Sequence, residues 1–217
     1  MTPTSVTSIA FDYATGAHGD NCCFSTITWS HTVTGSNTYL LVVAGTSSVD
    51  IGVHSVSSAT YNGVAMDVLG SAVNDAFLSS PFMPYGGFTL FGLKNPDSGT
   101  HSVVVTNGYG NFWETISASY TSVNQTTPTG SFVEAHGLDT TSTLTATSAS
   151  GELVVDFSYV LDQSLSGTAD VSQTERLSST GWRVDMAVSD KPGAASTSMT
   201  WTHDSHQWEL IAVPLKP

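Results

Sequence analysis

The sequence predicts an all-β chain folded as an antiparallel, jelly-roll-like β-sandwich, and three observations carry that expectation. Apolar side chains recur at every second position in segment after segment, which is the period of a strand with one face in a core. Turn-forming residues punctuate the chain at intervals of about 8–12 residues, the spacing of sandwiches and barrels. No long stretch carries apolar residues at i, i+3, i+4 and i+7, the helical signature. Together these predict about twelve to fourteen short strands in one domain spanning residues 1–217.

Taken in order, Ile27, Trp29 and Val33 alternate with Ser and Thr and lead into the turn Gly35-Ser36-Asn37. Tyr39-Leu40-Leu41-Val42-Val43-Ala44 is unbroken apolar sequence, so it reads as a central strand covered on both faces. Val56, Ala59 and Tyr61, then Asn62-Gly63, then Val64, Met66 and Val68 read as a hairpin, because Asn-Gly supplies the two positive φ angles of a type I′ turn. Phe88 and Leu90 precede the turn Asn95-Pro96-Asp97-Ser98-Gly99, and Val103 and Val105 follow it. Turns at Thr126–Gly130 and Ser150-Gly151 precede the alternation of Leu153, Val155 and Phe157. Trp182, Val184 and Met186 lead to the turn Lys191-Pro192-Gly193, and Met199 with Trp201, then Trp208, Leu210 and Ala212, close the chain. Gly16–Cys23 and Asn74–Gly87, the latter with Pro81 and Pro84, fit no strand pattern and read as long surface loops, the usual place for binding on a rigid β scaffold.

Composition narrows the function classes. Five Lys and Arg stand against eighteen Asp and Glu, a formal charge of −13. Nucleic-acid binding requires clustered cations to displace counterions from phosphates, so no nucleic-acid partner is expected. No apolar run approaches the roughly 20 residues of a membrane-crossing helix, and no membrane span is expected. The segment Met1–Val6 lacks the positive and apolar regions of a secretory signal. Cys22 and Cys23 are adjacent, a spacing unsuited to an ordinary structural disulfide.

No catalytic constellation stands out. Gly-x-Ser-x-Gly does not occur, and the carboxylates Glu114, Glu134, Glu152, Asp156 and Glu209 are scattered. Glu152 and Asp156 alternate with the apolar face of their strand, and Glu209 sits beside Trp208, so all three are expected outward in solvent. His203-Asp204-Ser205-His206 lies between two apolar runs and reads as a polar hairpin turn and not a metal site, which requires three or more well-placed ligands. No cofactor is expected. Calcium is the cation that best suits an acidic β protein, and Gly19-Asp20-Asn21 and Asp97-Ser98 are the most oxygen-rich turns, although neither has the order of a known calcium loop. Asn124-Gln125-Thr126 is a sequon. The aromatic residues Phe82, Tyr85, Tyr109, Phe112 and Trp113 fall in Gly- and Pro-rich stretches, where exposed rings suit stacking on sugars or burial in a protein interface.

Several landmarks recur in a fixed order from about residue 38 to 217: Leu40–Val43, Val56–Met66, Phe91–Thr106, Val123–Pro128, Gly151–Asp156, Lys191–Trp201 and Trp208–Lys216. In that order they resemble a β-sandwich module found in bacterial extracellular proteins and in phage virion proteins. The resemblance implies a decoration, adhesion or carbohydrate-contacting module, and it carries no catalytic residues over to this sequence. A start at Met1 without a secretory signal fits a virion component better than a secreted module. The expectation is therefore a non-enzymatic bacteriophage structural protein, a capsid decoration or cement protein on the outer head surface. Its partners would be the major capsid protein or other virion proteins, and a homo-oligomer is expected on a symmetric lattice. The alternative is a carbohydrate-binding or adhesion module of a phage fibre or a bacterial cell surface, with glycans as partners.

Overall fold

A chain whose apolar residues repeat every second position can hide them only by stacking pleated sheets. The computed structural model describes residues 8–19, 25–48, 56–74, 85–107, 112–161, 167–180 and 184–217. The described residues form fifteen strands and no helix. In chain order these are β1 (Ala10–Gly19), β2 (Thr26–Val33), β3 (Tyr39–Ser48), β4 (Val56–Tyr61), β5 (Val64–Ala65), β6 (Asp67–Asn74), β7 (Tyr85–Lys94) and β8 (Gly99–Asn107). There follow β9 (Phe112–Thr121), β10 (Val133–Ala146), β11 (Leu153–Leu161), β12 (Thr168–Ala169), β13 (Thr174–Thr180), β14 (Val184–Pro192) and β15 (Thr197–Leu215). Every pairing is antiparallel, and the sheets pack face to face, so the predicted all-β sandwich class is what the molecule adopts.

The sandwich has three sheets. The middle one runs β1-β9-β3-β7-β6, a second runs β2-β8-β4-β5, and a third runs β10-β15-β11-β14-β13, with β12 on β15. Along β3, Tyr39, Leu41 and Val43 face the third sheet, where Val155, Phe157, Tyr159, Met186, Val188, Ile211 and Val213 meet them. Leu40, Val42 and Ala44 face the second sheet and meet Ile27, Trp29, Val33, Tyr61, Val103 and Val105. The unbroken apolar run is thus covered on both sides, as its sequence predicts.

The third sheet departs from expectation. Alternation in β11 predicts one wet face, yet from Val154 to Leu161 every residue is buried. The cover comes from the β10–β15 ribbon, which is too long for one layer and folds in half. The register jumps between Asp139↔His206 and Thr141↔Thr202, leaving three residues of β15 opposite one of β10, a bulge that bends the strand pair sharply. Leu144, Ala146, Met199 and Trp201 then pack onto Val154, Val160, Ala187, Leu210 and Ala212, forming a third apolar layer. His203-Asp204-Ser205-His206 is this corner within β15, and the hairpin turn expected there is corrected: the strand pair continues through it.

Gly16–Gly19, expected in a loop, belongs to β1 and pairs with Trp113–Ile116. A side chain at Gly16 would press on the Thr115 carbonyl at 3.0 Å, which explains an apolar pattern too weak to read. Asn62-Gly63 forms the predicted turn, with φ of 48° and 77°. Residues 75–84, the body of the second expected loop, lie outside the described residues.

Candidate functional site

The sandwich has two unlike ends. At one, strands are joined by tight turns whose backbones demand glycine or asparagine: Gly35 and Asn37, Asn62 and Gly63, Asn95 and Gly99, and Gly151 all have positive φ. The C-terminus is tied there too, with Asn124 N bonded to the Lys216 carbonyl and Lys216 N to the Pro128 carbonyl. At the other end finish β1, β3, β6, β8, β11 and β13, and start β2, β4, β7, β9 and β14. The hydrogen bond from Tyr159 Oη to the Thr46 carbonyl, 2.8 Å, aligns the third sheet with the middle one at this end.

The aromatic residues singled out in the sequence fall at this second end. Backbone pairing places Tyr85 beside Ser48, Phe112 beside Ser47, and Trp113 between Thr46 and Gly19. These three are described as backbone positions only, while Phe82 and Tyr109 lie outside the described residues, as do Asp20, Asn21, Cys22 and Cys23. Three oxygens of the Asp97-Ser98 turn face protein groups: Asp97 Oδ2 accepts from Asn62 Nδ2 at 2.8 Å, the Asp97 carbonyl accepts from Tyr61 Oη, and the Ser98 carbonyl faces His101 Nε2. The Asn124 amide is likewise committed, with Oδ1 accepting from the Thr126 and Thr127 amides and Nδ2 donating to the Pro217 carbonyl.

Two polar networks between the sheets were not anticipated. In the first, Trp29 Nε1 donates to Ser117 Oγ (2.9 Å), which lies 2.9 Å from His31 Nδ1, and His31 Nε2 lies 3.1 Å from Ser119 Oγ. Ser119 Oγ donates to Asp12 Oδ2 at 2.8 Å. Its proton being spent there, Ser119 accepts from His31 Nε2–H, and Nδ1 is left to accept from the Ser117 or Thr15 hydroxyl. His31 is 0% exposed. Burial lowers its pKa to about 4 against the opposing pull of Asp12, so the ring is neutral at pH 7. The order hydroxyl, imidazole, hydroxyl, carboxylate differs from a nucleophile triad, in which the carboxylate orients the imidazole directly. It fastens β1, β2 and β9 to one another.

The second network corrects the solvated reading of Asp156, which is 0% exposed under the folded ribbon. Its carboxylate accepts from Trp201 Nε1 at 2.8 Å, from Ser189 N at 3.2 Å and from Ser189 Oγ. Gln173 adds a bond to Ser189 Oγ and accepts from the Thr200 amide. Burial raises the Asp156 pKa to about 7, outweighing the bonds donated to it.

Glu209 is also corrected: it faces the interior between the third and middle sheets, 1% exposed, because it shares the side of β15 that carries Ile211 and Val213. Glu114 is buried as well and accepts a hydrogen bond from Ser179 Oγ, while Glu152 is half-buried with Oε2 accepting from the Ala149 amide. Among the described residues no three His, Cys, Asp or Glu side chains gather in a metal-binding group. The His31 network had a legible signal, since His31 takes the inward position between Trp29 and Val33. The chain matches no family model, no curated protein and no solved structure in comparisons with known proteins.

Proposed function

We propose that this chain is a non-enzymatic structural protein of a bacteriophage virion, a decoration or cement protein on the outer head surface that docks through one end of its sandwich. The observation that carries the reading is the inequality of the two ends. One is closed largely by tight turns held by positive-φ residues, whereas the other is where eleven strands begin or end, those carrying Tyr85, Phe112 and Trp113 among them. A stiff β stack with loops gathered at one pole is the usual plan of a binding module. The two outer faces support the same reading. Thr26, Thr28, Ser30, Thr32, Thr100 and Ser102 cover the second sheet, and Thr141, Thr143, Thr145, Ser198 and Thr202 cover the folded ribbon. Uncharged hydroxyl faces and a strongly acidic total suit a particle coat that must not self-associate side to side.

Co-sedimentation tests this reading. The purified protein should pellet with heads assembled from the major capsid protein encoded beside it, in a fixed ratio to that protein, and be displaced by its own excess. Absence of affinity for every neighbouring capsid or tail protein sinks the proposal. A second reading, a carbohydrate-contacting adhesion module, draws on the placement of Tyr85, Phe112 and Trp113 on adjacent strand ends. A glycan array in which Trp113→Ala loses binding selects that reading instead.

A further inference from the structure

Gln207 and Glu209 lie two residues apart on β15, so both point to the same face of the third sheet. Register gives their neighbours. Glu209 is flanked by Tyr159 on β11 and His136 on β10, and Gln207 by Leu138. Both side chains are enclosed, Gln207 at 4% exposure and Glu209 at 1%. Yet neither oxygen of the Glu209 carboxyl, nor the oxygen or nitrogen of the Gln207 amide, has a hydrogen-bond partner. A protein interior rarely leaves four such atoms unpaired, because each gives up its hydration with nothing in return. One strand outward, on the same face, Glu134 and His136 form an open rim at 43% and 37% side-chain exposure.

We propose that Glu209 and Gln207 form the floor of a calcium site, with Glu134 at its rim. The floor offers three oxygens on one face of β15, two of carboxylate and one of amide, and the carboxylate at the rim would draw the ion inward and add a fourth. Calcium accepts this mixture, completing its shell with backbone or water oxygens at variable number, whereas magnesium holds to a rigid, heavily hydrated octahedron. Zinc would need three or four nitrogen, sulfur or carboxylate ligands in a tetrahedron, and no such group of His, Cys, Asp and Glu exists among the described residues. Electrostatics agree with the geometry. Burial, and then the charge of Glu134, hold the Glu209 carboxyl well above the usual carboxylate range, and a divalent ion opposes both effects. The site lies on the interlayer face, away from the exposed Asp97-Ser98 turn.

Terbium(III) accepts calcium's ligands and emits when excited through a nearby tyrosine or tryptophan, and Tyr159 and Trp208 are adjacent to Glu209. Titrated into chelator-treated protein, terbium should give sensitised emission that saturates near one ion per chain. Calcium should displace it with a dissociation constant on the order of 10⁻⁴–10⁻³ M, the range of sites with few charges. Calcium should also raise the melting temperature. Glu209→Gln keeps shape and removes charge, so the variant should fold, as its circular dichroism spectrum will report. It should lose at least about tenfold in affinity together with the calcium-dependent rise in melting temperature. Gln207→Met should weaken binding too, and Glu152→Gln, at the opposite end of the sandwich, should not. The proposal is overturned if the wild type gives no sensitised emission, or if Glu209→Gln binds terbium and responds to calcium as the wild type does.

Discussion

Asp156 and His31 are both fully buried ionisable side chains, and their titrations act on stability in opposite directions. Burial lowers the His31 pKa from 6.5 to about 4. Its contribution is therefore complete above pH 6.5 and is lost as pH falls through that value toward 4. Asp156 is raised from 3.8 to about 7, so its contribution is complete below pH 3.8 and is lost as pH rises toward 7. At about 1.4 kcal/mol per pKa unit, the two amount to about 3 and about 4 kcal/mol. In the wild type they oppose each other across the same window. Substitution separates them: relative to wild type, His31→Gln should gain about 3 kcal/mol as pH falls from 6.5 to 4, and Asp156→Asn should gain about 4 kcal/mol as pH rises from 4 to 7. Urea unfolding at four or five pH values reads both slopes. A constant offset from wild type for either variant would show that its group titrates alike in the folded and unfolded chain. At this scale the sequence is legible where parity alone decides, as at His31, which takes an inward position on β2; Glu209 reads wrongly as outward because the residues after it, Leu210-Ile211-Ala212-Val213, are apolar on both faces. It is illegible for Asp156, whose outward parity is correct but whose solvent is replaced by a ribbon arriving from some 45 residues away, as the Trp201 contact records.

Strands are legible when a single sheet face explains their pattern, and β3 is the clearest case. Its apolar run implies cover on both sides, and what the pattern omits, Gly45, is a place where the covering sheet comes close. A Cβ on Gly45 would lie 2.5 Å from Tyr159 Cε2 and 2.8 Å from Met186 Cε. The Tyr159 ring has little room to yield, because its hydroxyl is bonded to the Thr46 carbonyl and it packs edge-to-face with Phe88, ring centroids 4.4 Å apart. Gly45→Ala should therefore destabilise the fold by about 3 kcal/mol, the upper range for overpacking a tight core, read as a lowered urea midpoint with an unchanged slope. A midpoint equal to wild type would mean that the two sheets separate freely at this contact. The β10–β15 ribbon is the opposite case. Its two apolar runs are visible in sequence, but a polar break between them looks the same whether the chain turns back on itself or bends through a bulge. The distinction lies in the partner strand, where Asp139–Thr141 continues pairing past the corner.

For the molecule as a whole, layering and charge are linked. Stacking three sheets and a folded ribbon buries both faces of the middle and third sheets, so apolar side chains fill the interlayers and Ser and Thr are left to cover the two outer faces. Few positions remain for charged residues, and those present are mostly of one sign: eighteen Asp and Glu against five Lys and Arg. Arg176, one of the five, is already held by Asp190 at 2.6 Å and lies over the Phe11 ring. Unfolding spreads the remaining excess negative charge over a larger volume, so self-repulsion favours the unfolded chain. Salt should weaken that repulsion, because the screening length falls from about 30 Å at 0.01 M to about 4–5 Å at 0.5 M. The urea midpoint, measured at pH 7.5 with a chelator present to keep the proposed cation site out of the result, should rise steadily as sodium chloride is raised across this range. The rise should be the same for sodium and potassium, since screening depends on ionic strength alone. A midpoint that is flat or falls would mean that the carboxylates are spaced widely enough, or paired well enough, for their repulsion to be spent before the chain unfolds.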